Sequence, residues 1–337
     1  MILEHQSLKQ YNTFGIEAKA YLFAKINSLQ DIYNVLNYKD ELKLPLLILG
    51  GGSNILFTKD FDGIVMQINT KGIEIIKETD EEIIIKASAG EIWDEVVEYA
   101  VSRNLSGIEN LSLIPGSIGA SPLQNIGAYG VELKDVFHSL EAMDIKSREI
   151  KTFIYDECKF DYRNSVFKNK LKNKYIITSV SLRLSKKQIT KTNYGAIEDY
   201  LQNKNIEKPS ISEIREAICN IRRSKLPDPA FIGNAGSFFK NSIVNKEHFE
   251  KLQLDYPNIP FYINDDNSYK IPTGWLIEQC GWKGKTIGNA GVHDKQALVL
   301  INKGGASGNE IIQLAENIIQ SVFATFGINI EPEVNIE

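Results

Sequence analysis

Two glycine-rich runs and three isolated polar side chains are the parts of this sequence whose residue types suit chemistry. The run Leu113-Ile-Pro-Gly-Ser-Ile-Gly-Ala-Ser-Pro-Leu-Gln-Asn-Ile-Gly-Ala-Tyr-Gly130 holds four glycines and two prolines, with too few charges or large side chains for an ordinary surface loop. Such a run lets backbone N–H groups approach a ligand closely, and an extended, planar, anionic molecule such as a dinucleotide suits it. The second run, Gly50-Gly-Gly-Ser-Asn54, follows the apolar stretch Pro45–Leu49. It is not a Rossmann fingerprint, because the third glycine would fall at Ile55. Alone it is a strand-to-turn glycine cluster; beside the longer run it reads as part of a phosphate or flavin cradle.

Arg163 lies among aromatic and apolar neighbours in Phe160–Phe167. It can pair with Asp161, cap a helix, or grip a carboxylate through two parallel hydrogen bonds. Ser237, in Gly233-Asn-Ala-Gly-Ser-Phe-Phe-Lys-Asn241, stands between a flexible pair and two aromatics and by itself reads as a buried turn serine. Glu333, in Glu331-Pro-Glu-Val334, is by itself a terminal acid facing water. Gly284-Lys-Thr286 imitates the end of a P-loop, but Gln279 replaces the upstream glycine. His5, His138, His248 and His293 have no metal-ligand spacing, so no metal site is expected, and His293 reads as structural. No G-x-S-x-G elbow or kinase motif set occurs.

These residues must be positioned by alternating helices and strands. Ser28-Leu-Gln-Asp31 is a capping box leading into Leu29, Ile32, Val35 and Leu36 on one apolar face. Pro45–Leu49, Ile83–Ala87 and Ile176–Leu184 read as strands, and Ser88-Ala-Gly-Glu91 as the cap of a helix carrying Ile92, Val96 and Ala100. Residues 185–210 read as a polar connection near a domain boundary. Ser210-Ile-Ser-Glu213 opens a helix with Ile214, Ala217, Ile218 and Ile221 on one face, stopped before Pro227. Ser307-Gly-Asn-Glu310 opens another, through Ile311, Ala315, Ile318, Val322 and Phe326, closed by Gly327.

The 337 residues suffice for two or three domains of mixed α and β class. A net charge of −5 and a pI near 5.6 argue against a general nucleic-acid binder. No signal peptide or membrane-crossing run is seen. Cys158, Cys219 and Cys280 are odd in number and widely spaced, which predicts buried reduced thiols and a cytoplasmic setting.

Taken in order, nine segments resemble the UDP-N-acetylenolpyruvoylglucosamine reductases along nearly the whole chain. They are Asn12-Thr-Phe-Gly15, Leu49–Asn54, Gly107-Ile-Glu-Asn-Leu111, the glycine-rich run, Tyr162-Arg-Asn-Ser165, Lys225-Leu-Pro-Asp-Pro229, Gly233–Asn241, Gly274-Trp-Leu-Ile-Glu278 and the terminal Glu331–Val334. The resemblance implies an α+β FAD-binding fold of the vanillyl-alcohol oxidase and p-cresol methylhydroxylase type, made of two α/β subdomains, plus a C-terminal α+β substrate-binding domain. The expected bounds are residues 1–66 and 67–205 for the two FAD subdomains and 206–337 for the substrate domain.

The implied reaction is NADPH-dependent, FAD-mediated reduction of an enolpyruvyl ether on UDP-N-acetylglucosamine to UDP-N-acetylmuramate, in a ping-pong sequence. By residue-by-residue matching, Gly50, Gly51, Gly52, Ser53 and Asn54 would bind FAD together with Pro115, Gly116, Ser117, Ile118, Gly119, Ala120, Ile126, Gly127 and Arg163. With no histidine in either run, the flavin would be held non-covalently. Ser237 would donate a proton, while Arg163 and a protonated Glu333 stabilise the enolate. Tyr129, Tyr194, Lys225, Asn241 and Gln296 would bind substrate, Tyr194 from the mobile loop of the type I branch. Residues near 240–272 would be that branch's insertion. A monomer without nucleic-acid or membrane partners is expected. One departure stands out: Asn335 follows the Glu-Pro-Glu-Val motif where relatives commonly carry arginine.

Two further readings stay open at this level. One is an oxidase or dehydrogenase of the same flavin superfamily, acting on a hydroxy acid. The other is a non-catalytic flavin or sugar-nucleotide binder, which fits poorly with Arg163, Ser237 and Glu333 all present.

Overall fold

The computed structural model describes residues 1–264 and 266–337, and the chain divides into two compact units. The first comprises Met1–Gln6, Ala20–Gly51 and Phe61–Ser224; the second comprises Ser7–Lys19, Gly52–Asp60 and Lys225–Glu337.

In the first unit, strands Lys19–Ile26, Phe61–Ile68 and Leu46–Leu49 lie side by side and parallel, with Ile2–Ser7 at the outer edge. Parallel strands of one sheet need a crossover, and helix α1 (Leu29–Leu42) supplies it from Lys19–Ile26 to Leu46–Leu49, which flank Phe61–Ile68. Its capping box forms as the sequence predicts: Ser28 Oγ accepts the Asp31 N–H, and Asp31 accepts the Ser28 N–H. A second, five-stranded sheet is antiparallel, ordered Ile150–Ile154, Phe137–Asp144, Tyr175–Ser185, Glu82–Ser88, Ile73–Glu78. Helix α2 (Trp93–Ser102) buries Trp93, Val96, Val97, Ala100 and Val101, and one continuous core joins it to residues of both sheets and α1. The short helix α3 (Tyr155–Cys158) buries Cys158, whose thiol burial pushes up to about 12, so it is inert at neutral pH.

Two local expectations change. Ser88 and Glu91 do not cap α2: the Ser88 hydroxyl donates to the Lys71 carbonyl, and Glu91 accepts the Gly72 N–H at 2.5 Å. A donor distant in sequence outcompetes the helix terminus. The polar stretch 185–210 is not all connection, because helix α4 (Gly195–Asn203) forms there on the buried pair Ile197 and Leu201. Helix α5 (Ile211–Lys225) follows, capped by Ser210 and Glu213 as predicted.

The second unit is built on an antiparallel sheet ordered Gly233–Ser237, Val299–Asn302, Ala290–Val292, Thr286–Ile287. The segment expected as an insertion contains strand Ser242–Val244, helix α6 (Lys246–Asp255) and strands Tyr262–Ile263 and Tyr269–Ile271, which form a small sheet. Helices α7 (Thr273–Gln279) and α8 (Gly308–Phe326) complete the unit, α8 stopping at Gly327 with φ +66°. Asn12-Thr-Phe-Gly15 proves to be a stitch. The Asn12 side chain bonds the Leu8 and Ile16 carbonyls and the Ile16 N–H, while the Asn234 N–H and the Asn302 amide donate to the Thr13 and Phe14 carbonyls. Cys280 is half-buried rather than buried. No helix among the described residues is long and apolar enough to cross a membrane.

Candidate active site

The predicted residues divide between the two units. In the first, Gly50 and Gly51 leave the end of a parallel strand and meet the glycine-rich run almost backbone to backbone. A Cβ on Gly50 would lie 2.3 Å from Ser117 Oγ, and one on Gly51 would lie 3.0 Å from Gly116 Cα. Residues 115–120 are themselves sewn to the turn between strand Glu82–Ser88 and α2, Ile118 N–H donating to the Glu91 carbonyl and Gly119 N–H to that of Ala89. Ile118 is buried, whereas Gly51, Pro115 and Ala120 are exposed. The result is a rigid, open shelf edged by backbone and small side chains, which a flat cofactor with a diphosphate fits and which any larger residue would fill.

The run then makes a hairpin. Gly127 and Ala128 pair with Glu132 and Val131, and the two turn residues, Tyr129 and Gly130, have φ of +50° and +78°. Two successive left-handed residues make the turn whose twist matches a hairpin. Ile126 packs in the core beneath it. Arg163 occupies the turn Asp161–Asn164, itself at φ +52°, and its Nη2 donates to the Gly127 carbonyl at 2.8 Å. Asp161 accepts the Tyr162 N–H, and Ser165 Oγ donates to the Leu123 carbonyl at 2.7 Å. The Tyr162–Ser165 motif is thus docked on the glycine-rich run, with the guanidinium set beside Gly127.

Tyr129 and Tyr194 meet edge to face, with ring centroids 5.3 Å apart. Burial pushes the Tyr129 phenol up, opposed by a hydrogen bond and the positive charge of Arg222. Burial pulls the Arg222 guanidinium down, opposed by Tyr129 and Asp94. Arg215, two turns earlier on α5, holds Asp94 with paired bonds of 2.7 and 3.0 Å. This Arg222–Tyr129 contact escaped the sequence reading. Its only signal was the spacing of Arg215 and Arg222, which sets both along one face of a helix beside Ile218.

Asp94 also accepts the Leu113 N–H at 2.6 Å, tying the start of the glycine-rich run to α2. Burial alone would raise its pKa, but Arg215 and the Leu113 N–H outweigh it and hold the carboxyl low. A carboxyl depressed in the folded state stabilises above its unfolded pKa, about 3.9, and loses that contribution as pH falls through the folded value. Asp94→Asn is therefore expected to cost about 2 kcal/mol at pH 7. Urea unfolding should show the gap from the parent closing below about pH 4; a gap independent of pH would contradict this account.

In the second unit, Ser237 ends the strand Gly233–Ser237 opposite Val299, after an irregularity at Ala235 and Gly236 where Gly236 has φ +69°. Asn234 sets this bend, its Oδ1 accepting the Gly236 N–H and its amide bonding the Ile232 and Pro227 carbonyls. The chain beyond pairs with the C-terminal motif: Glu333 N–H donates to the Phe238 carbonyl at 2.7 Å, Phe239 bridges Pro332, and Lys240 N–H donates to the Glu331 carbonyl. Ser237 and Glu333 therefore sit on adjoining segments although far apart in sequence. The buried rings of Phe238 and Phe239 fix that pairing.

Asn335 has a definite role. Its N–H and side-chain amide both donate to the Asn54 carbonyl, and Asn54 Nδ2 returns a bond to the Glu333 carbonyl at 3.4 Å. Asn335 thus ties the segment that carries Glu333 to Asn54. Gly52 lies against the Tyr11 carbonyl, and Ser53 and Asn54 follow it in this unit. Asn241 accepts the Thr273 N–H, and Gln296 Oε1 lies 3.1 Å from where a Gly274 Cβ would be, so both gather at the start of α7. Lys225 closes α5 at the boundary between the units.

Comparison with known proteins agrees with this chemistry. Residues 20–152 match the model of the FAD binding domain, and residues 228–337 match that of the UDP-N-acetylenolpyruvoylglucosamine reductase C-terminal domain. The UDP-N-acetylenolpyruvoylglucosamine reductase of Flavobacterium johnsoniae is 49% identical over 98% of each chain. That of Pseudomonas aeruginosa is 45% identical over 99% of this chain and 98% of its own. Among solved structures, the reductase of Thermus caldophilus superposes over 100% of this chain and 98% of its own, with a TM-score of 0.68 at 20% identity. A solvent-stable cholesterol oxidase matches the fold with a TM-score of 0.52 at 11% identity, covering 98% of this chain and 86% of that one. The architecture is thus the FAD-binding α+β fold expected from the motifs. Near one-half identity along nearly the full length of these relatives, with a family model on each part, places this chain in the UDP-N-acetylenolpyruvoylglucosamine reductase family of FAD-dependent oxidoreductases.

Proposed function

We propose that this chain reduces the enolpyruvyl ether of UDP-N-acetylglucosamine enolpyruvate to the lactyl ether of UDP-N-acetylmuramate, with NADPH as electron source, as a step of peptidoglycan precursor synthesis. The full-length relatives bear the name of this substrate. The observation that carries the reading is the pairing of Phe238–Lys240 with Glu331–Glu333, which brings a serine and a carboxyl group to adjoining segments.

Gly50, Gly51 and residues 115–120 would hold FAD, which when bound would supply the hydride chemistry linking the nicotinamide to the enol ether. The protein's part is to manage charge and protons. Hydride addition leaves negative charge spread between the α-carbon and the substrate carboxylate. The Arg163 guanidinium, anchored on Gly127, faces that charge. Glu333 in its protonated form donates a hydrogen bond to the same carboxylate. Ser237 gives its hydroxyl proton to the α-carbon from one face, which sets the stereochemistry; an enolate is basic enough to take it. Tyr129, Tyr194, Lys225, Asn241 and Gln296 bind the sugar nucleotide in this reading. The domain bounds at residues 66 and 205 are likewise part of the proposal.

The experiment is an anaerobic half-reaction pair on the FAD-loaded protein. NADPH is expected to bleach the visible flavin band, and UDP-N-acetylglucosamine enolpyruvate to restore it. Bleaching without recovery would keep the flavoprotein and reject the substrate.

A further inference from the structure

Gly107-Ile-Glu-Asn-Leu111 is a motif that neither the glycine shelf nor the Ser237–Glu333 pair uses, yet the polar side chains in and beside it are buried. Ser106, Glu109 and Asn110 are 1%, 2% and 1% exposed. Buried polar groups persist where they are satisfied, so their partners show what the motif does.

Glu109 works inward. Its carboxylate accepts the Gly107 N–H at 2.6 Å and lies 3.3 Å from Ser106 Oγ, which holds the turn in shape. Ser106 and Asn110 work outward, on the segment that leads to Tyr194. Ser106 exchanges both backbone hydrogen bonds with Ser185, and its hydroxyl lies 3.0 Å from the Ile189 carbonyl. Asn110 Nδ2 donates to two carbonyls at once, that of Lys191 at 2.9 Å and that of Tyr129 at 2.9 Å. Two carbonyl partners fix which end of the amide faces them. The Lys191 ammonium adds an ion pair to Asp135 at 3.2 Å. Asn110 is therefore a bridge: one amide hydrogen holds the hairpin turn that carries Tyr129, and the other holds the segment three residues before Tyr194.

We propose that Asn110, assisted by Ser106, is the latch of the Tyr194 loop, a positioning residue that seats Tyr194 on Tyr129 for binding of the sugar nucleotide. The inference rests on the reading of Tyr194 as a substrate-binding residue. The chemistry of the side chain is specific, because the site needs two donors on one atom. Aspartate there would set a carboxylate against two carbonyl oxygens, and leucine would leave both carbonyls without a donor.

The test uses the FAD-loaded full chain with Asn110→Leu, Ser106→Ala and Tyr194→Ala, read by hydrogen exchange and by kinetics. In Asn110→Leu, exchange across residues 186–194 is expected to rise about tenfold or more. KM for UDP-N-acetylglucosamine enolpyruvate should rise about tenfold while kcat and flavin reduction by NADPH stay within about threefold. Ser106→Ala should move the same two readouts in the same direction by about threefold, and it decides the matter should Asn110→Leu fail to fold. Unchanged exchange at 186–194 in a folded variant overturns the latch. Raised exchange with an unchanged KM overturns its role in seating Tyr194. Tyr194→Ala separates the two levels: if it leaves KM unchanged, the substrate-binding reading of Tyr194 fails, and exchange still decides whether Asn110 holds the loop.

Discussion

Ser237→Ala is expected to leave bleaching of the flavin by NADPH nearly intact and to slow its recovery with the enolpyruvyl substrate by about 10³-fold. The two halves separate because only the second needs a proton at carbon. The variant should fold, since position 237 is set through the backbone: the bend before it is held by Asn234, and the strand after it by Phe238 bonding the Leu298 carbonyl and the Glu333 N–H. Alanine keeps those bonds and removes only the hydroxyl. Rapid mixing of pre-reduced enzyme with substrate measures the recovery directly. Turnover that remains in D₂O should place deuterium at the lactyl carbon with reduced stereochemical purity, as solvent replaces a fixed donor. An equal loss in both halves would move Ser237 from proton donation to flavin positioning.

Arg163 should show the opposite pattern, a loss spread over both halves and deeper in the second. Its guanidinium is committed to the Gly127 carbonyl, so Arg163→Met loosens the hairpin beside the shelf as well as removing a cation. Recovery of the flavin band is expected to fall by about 10³-fold, the scale of losing a group aimed at developing charge. FAD should also wash out more readily, seen as a lower visible-to-ultraviolet absorbance ratio after gel filtration. Arg163→Lys is the informative companion. It keeps the charge but not the planar fork, and should recover part of the rate without restoring tight flavin retention. If Arg163→Met reoxidises at the parent rate, enolate stabilisation lies elsewhere, and Arg163 serves to hold the hairpin at Gly127.

The three helices opened by Ser28–Asp31, Ser210–Glu213 and Ser307–Glu310 were legible because each cap closes within four residues. Ser88–Glu91 shows the limit of that reading. The pattern is the same, but Glu91 is taken by Gly72, a partner no local window contains. In the polar stretch 185–210, the spacing of Ile197 and Leu201 marked a helix that composition concealed.

By itself the sequence determined the chemistry on offer: glycine runs able to bring backbone to a dinucleotide, and an arginine, a serine and a glutamate in matching motifs. It also determined the helices opened by Ser28, Ser210 and Ser307, because capping and apolar periodicity are short-range. Only the tertiary structure decided which groups meet. Glu333 lies beside Phe238 through long-range backbone hydrogen bonds, Asp94 grips an arginine 121 residues away, and Asn110 joins carbonyls 19 and 81 residues off. Such pairings leave no local signature, because they are selected by packing of the whole unit. A buried asparagine carries no mark in sequence until the carbonyls its amide group donates to are brought alongside.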